Sequence, residues 1–78
     1  MPKLPIISGK KLSKLLKKAG YTEIRKKGSH VFIEHESGNH STVIPIHANE
    51  DLGKGLLKSI LNDLELTVEE LIELIGGK

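Results

Sequence analysis

The stretch KKGSHVFIEH, residues 26–35, sets a histidine just beyond a run of positive charge and a turn. Arg25, Lys26 and Lys27 come first. Gly28 follows, and its missing Cβ lets backbone approach a ligand or adopt a positive φ; Ser29 then adds a hydroxyl and an N–H ahead of His30. This is a set of groups able to hold a phosphodiester. Free imidazole titrates at about pH 6.5, so a histidine takes or gives a proton near neutrality, as in-line attack by a ribose 2′-hydroxyl requires. Neighbouring cations would stabilise the charge that gathers on a phosphorane-like transition state. A solvated surface histidine behind a charge run has the same local sequence, and residue types alone leave both readings open.

The other histidines are weaker candidates. His30, His35, His40 and His47 lie five, five and seven residues apart, with no HExxH or His-x-His pair, and the chain has no cysteine to complete a tetrahedral site. No metal site is expected. His40 falls in the polar turn SGNHS and reads as a solvated loop residue, while His35 reads as half-buried in a strand or exposed near a hairpin end.

The elements that must position His30 follow from periodicity. Ser8 can cap a helix from Gly9 to Ala19, with Leu12, Leu15, Leu16 and Ala19 at helical spacing and Gly20 placed to stop it. Lys10, Lys14 and Lys17 form an i, i+4, i+7 row on its solvent side. Three short strands are then expected from YTEIRKK, HVFIEHE and TVIPI, joined by the turns GS and SGNHS, with Pro45 marking an edge or the strand's end. Helical spacing returns in Leu52, Leu56, Leu57, Ile60, Leu61 and Leu64. Thr67 with Glu70 reads as a capping box opening a last short helix, ended by Gly76 and Gly77. The fold class is therefore α+β: a two-layer sandwich of α-β-β-β-α order with an extra short C-terminal helix, in one domain over residues 1–78. Strand alternation puts Val31 and Ile33 in the core and His30, Phe32 and Glu34 on the open face.

Composition narrows the partners. At 78 residues a chain buries roughly 60–65 % of its unfolded surface, enough for one small core. Residues 1–30 carry nine Lys or Arg against one acid, and residues 31–78 carry three against nine, so the net charge of +2 conceals a basic pole suited to a polyanion. The absence of cysteine suits a reducing compartment, and the four-residue apolar run Leu4 to Ile7 is too short for a signal or membrane segment, so a cytoplasmic protein without membrane contact is expected.

The chain resembles the HicA toxin family, the small mRNA interferases of toxin–antitoxin pairs. Three stretches carry the resemblance: the lysine-rich first helix ending in AGY, then KKGSHVFIEH, then TVIPIHANEDLGKGLLKSIL. Within them Gly28-Ser29-His30, Pro45-Ile46-His47 and Lys54-Gly55 occur in the family's order. The VIPIH lead-in and the added helix TVEELIELI depart from its usual pattern. The resemblance implies a fold like that of the double-stranded RNA-binding domain and a metal-independent endoribonuclease that needs no cofactor. It further implies a single-stranded mRNA substrate, a HicB-like antitoxin that binds over the site, and a chain that is a monomer when free. It places the active histidine at His30. On that basis Arg25, Lys26, Lys27, Gly28 and Ser29 hold the scissile phosphate, Lys10, Lys14 and Lys17 hold RNA, His47 is a possible second proton carrier, and Phe32 could stack a base or fill the core. Two other functions fit the same residues: an RNA-binding module of the same fold that does not cut, and a module whose basic pole docks an acidic protein.

Overall fold

The computed structural model describes residues 3–47 and 50–76. The elements run α1 (Gly9–Lys18), β1 (Tyr21–Lys27), β2 (His30–His35), β3 (Ser41–Pro45), α2 (Lys54–Asp63) and α3 (Val68–Ile75). Strand order is β1-β2-β3, antiparallel throughout. This is the expected α+β sandwich: α1 packs on β1 and β3, α2 on β3, and α3 on α1.

Each boundary has a local cause. The Ser8 hydroxyl accepts from the Lys11 N–H at 3.2 Å and starts α1. The helix ends at Lys18 with Ala19 as its cap, one residue short of the expected end. Between β1 and β2 the connection is two residues, Gly28-Ser29, and only Gly28 has a positive φ, 59°. A positive φ confined to the first central residue is the type II′ pattern, whose twist matches that of the strands it joins. β3 is an edge strand ending at Pro45, where a missing N–H costs no ladder bond.

The core forms where the sheet meets the helices. Leu12 and Leu16 of α1 lie against Val31, Ile33 and Ile44, with Leu57, Ile60 and Leu61 of α2 completing the layer. Val31 and Ile33 are buried and His30 is exposed, as alternation requires. Leu56 is 42 % exposed rather than part of the stripe, and Leu52 precedes α2, where its N–H donates to the Ile7 carbonyl. Thr67 and Glu70 form the expected capping box, at 2.9 and 3.0 Å. Gly77 lies outside the described residues. Thr67→Ala is expected to destabilise the protein by about 1 kcal/mol, lowering the unfolding temperature by roughly 4–8 °C in a thermal melt. An unchanged melt would mean that α3 adds nothing to the cooperative unit despite its buried Leu71.

One expectation is corrected. His40 is not a solvated loop residue: it is half-buried, and its Nε2 lies 2.9 Å from a Glu65 carboxylate oxygen. The cause is the closure of the β2–β3 connection, in which the His35 N–H donates to the His40 carbonyl at 2.8 Å, while Glu65 stands at the α2–α3 corner with φ 53°. His35 is half-buried, as one of its two readings had it, edge-on to Tyr21 with ring centres 4.8 Å apart. Burial, and then the nearby Glu70 carboxylate, push the Tyr21 hydroxyl above its ordinary pKa.

Candidate active site

His30 opens β2 at the end of the sheet, paired on one side with Lys27 and on the other with Pro45. Its side chain is on the open face, since the next residue, Val31, is buried against the helices. Side chains directly opposite in such a pair have Cβ atoms about 5 Å apart, so the Lys27 ammonium can reach an anion held at the imidazole. Among the described residues no side chain hydrogen-bonds the His30 ring. The residue is exposed.

The next row inward on this face is Arg25, Phe32 and Val43. The Arg25 guanidinium carbon stands 5.5 Å from the centre of the Phe32 ring, a cation–π contact that holds the charge on the open face. Phe32 itself is half-buried, between the two uses open to it from sequence. Ile24, 55 % exposed, and Val43, 37 % exposed, extend this apolar patch. Ile24 owes its position to a β-bulge between Glu23 and Arg25, which inserts one residue into β1.

Lys26 does not share this face. It pairs with Val31, the core residue, and lines a groove on the helix side together with Lys10, Lys14 and Lys17. The basic run beside His30 is thus divided: Arg25 and Lys27 stand with the imidazole, while Lys26 stands with the α1 lysines. Sequence reasoning grouped all three. The signal that separates them was present, because a two-residue turn at Gly28-Ser29 fixes Lys27 opposite His30 and Lys26 opposite Val31.

Gly28 is exposed at the hairpin tip, with open space where its Cβ would be, so a ligand can approach the backbone there. Ser29 is half-buried, and its carbonyl accepts from the Ile46 N–H at 2.6 Å. That bond ties the segment after β3 to the hairpin and carries His47, which is exposed, to the same end of the sheet as His30. The His47 carbonyl in turn accepts from the Glu50 N–H at 2.7 Å.

Among the described residues no three side chains of His, Cys, Asp or Glu are grouped so as to hold a metal ion. In the same residues no helix is long and apolar enough to cross a membrane. The arrangement offers an accessible imidazole at a rigid strand end, flanked by two cations and an open glycine tip. No curated protein matches the chain. The family model of the HicA toxin of bacterial toxin–antitoxin systems matches residues 9–66, from the first residue of α1 through the sheet and α2, stopping short of α3. With most of its length matched, the chain belongs to the HicA toxin family and is the toxin member of a toxin–antitoxin pair.

Proposed function

We propose that this toxin is a metal-independent endoribonuclease that cuts single-stranded mRNA with His30, and that a HicB-like antitoxin silences it by covering the open face around that residue. The observation that carries the reading is the row Lys27–His30–Pro45, which offers an unobstructed imidazole beside a cation at the end of the sheet. In the proposed step His30 removes the proton from a ribose 2′-hydroxyl as its oxygen attacks the adjacent phosphorus. The bond from phosphorus to the 5′-oxygen breaks, and His47 gives that oxygen a proton. The products are a 2′,3′-cyclic phosphate and a 5′-hydroxyl. Lys27 and Arg25 balance the charge on the non-bridging oxygens, with the Gly28-Ser29 backbone lying against the phosphate. In this reading the free chain acts as a monomer.

Expression in a bacterial host tests the reading. Wild type is expected to arrest growth and deplete mRNA, and co-expression of the cognate antitoxin to restore growth. His30→Ala is expected to do neither harm at equal protein level. Equal arrest by both forms would reject His30 as the residue responsible.

A further inference from the structure

We infer that the groove between α1 and β1 is a second binding site, a track for the sugar-phosphate backbone of the same RNA strand, which crosses from it to His30 over the Gly28-Ser29 tip. This rests on the nuclease reading of His30 and adds a place for the substrate beyond the reacting linkage.

The groove has a volume of about 470 Å³. Lys10, Lys14 and Lys17 reach it from α1 and Lys26 from β1, over a floor that includes Ser13, Val31 and Ile46. Its one carboxylate, Glu23, is taken by Lys17 at 3.1 Å. Among the described residues no carboxylate lies within ion-pair distance of Lys10, Lys14 or Lys26. Lysines at helical spacing repel one another. Here a fourth cation from another element joins them on one concave surface, so the repulsion is concentrated where an external anion would relieve it. Lys11 and Lys18, on the same helix, do not line the groove.

Dimensions and chemistry identify the anion. At 1.5 Å per residue, Lys10 to Lys17 spans about 10 Å along α1, a length that two or three consecutive phosphates of a single strand can cover. The floor is mainly apolar and has few groups able to read base edges, so the site takes phosphodiesters without regard to sequence. Lys26 and Lys27 are consecutive, yet one lines the groove and the other stands opposite His30. One peptide unit therefore separates the track from the reacting end, and a strand leaving His30 over the open tip meets Lys26 next.

The test uses the full chain and an oligouridylate of about 20 nucleotides, 2′-O-methylated so that it binds without being cut. A triple variant, Lys10→Gln with Lys14→Gln and Lys26→Gln, leaves the Lys17–Glu23 pair in place and changes only exposed side chains. Its Kd is expected to rise roughly 100-fold at about 0.1 M salt, and the slope of log Kd against log salt to fall by about 2, since each phosphate contact on a single strand carries about 0.7. The control triple Lys11→Gln, Lys18→Gln and Lys58→Gln removes the same charge outside the groove and should have a far smaller effect. Unchanged affinity in the groove variant would overturn the inference. So would equal losses in both triples, or intact RNA binding with loss of antitoxin binding, which would assign the groove to an acidic protein. If the groove variant alone loses affinity while wild type cuts no RNA, the track stands and the nuclease reading falls.

Discussion

Purified His30→Ala protein is expected to cut RNA roughly 10²–10⁴-fold more slowly than wild type, the range that a positioned proton-transfer group supplies, with its thermal unfolding unchanged. The two halves of this expectation have separate causes. The imidazole is exposed, and among the described residues no side chain hydrogen-bonds it, so its removal leaves no buried group without a partner. The strand that carries it is held by Val31 and Ile33, both buried, and by ladders to β1 and β3 on either side. A loss of rate with an unchanged melt therefore isolates chemistry from folding. Cleavage that persists at the wild-type rate in this variant, measured on nuclease-free protein, would remove His30 from the mechanism.

Gly9→Ala should have the largest effect on stability of any glycine-to-alanine change among the described residues. Gly9 is buried at the first position of α1, and a Cβ there would run into the carbonyl of Pro45 and lie 3.3 Å from the Ile44 Cγ2. Backbone cannot move aside as a flexible side chain can, so α1 must shift away from β3. Overpacking of this kind costs about 1–3 kcal/mol. The better helix propensity of alanine, about 1 kcal/mol in a helix interior, offsets less at the first turn and does not reverse the sign. At roughly 4–8 °C per kcal/mol for a domain of this size, the unfolding temperature should fall by on the order of 10 °C. Part of the strain falls on Pro45, which is paired with His30, so activity should fall as well. An unfolding temperature equal to or above that of wild type would show that α1 can shift without penalty.

Much of this architecture was legible because it follows from periodicity. Val31 and Ile33 declare the buried face of β2, and with it the exposure of His30, through alternation alone. Ser8 and Thr67 announce their helices because a hydroxyl that accepts from the first turn is a local device, independent of tertiary contacts. The lysine row of α1 was equally plain. What stayed hidden depends on how separate segments meet. The bulge at Ile24 has no local signature, since an inserted residue is defined only against the partner strand. Lys26 joined the α1 lysines only once register was fixed by the two-residue turn. Gly9 looked like an ordinary helix-start glycine until β3 was laid against it. His40 seemed solvated because Glu65, its partner, is twenty-five residues away in sequence. Sequence pattern reveals which face a side chain takes within its own element, and pairing between elements decides its company.

The most direct test of His30 as the proton carrier is the products of one reaction. A 5′-labelled RNA with a single cleavable linkage is incubated with wild type in the presence of a chelator, beside the same RNA carrying a 2′-deoxyribose at that linkage and beside His30→Ala. The expected result is a cut all-ribose strand ending in a 2′,3′-cyclic phosphate, with no product from the deoxy strand and at most a trace from the variant. Cleavage of the deoxy strand, or an equal yield from His30→Ala, would contradict the account.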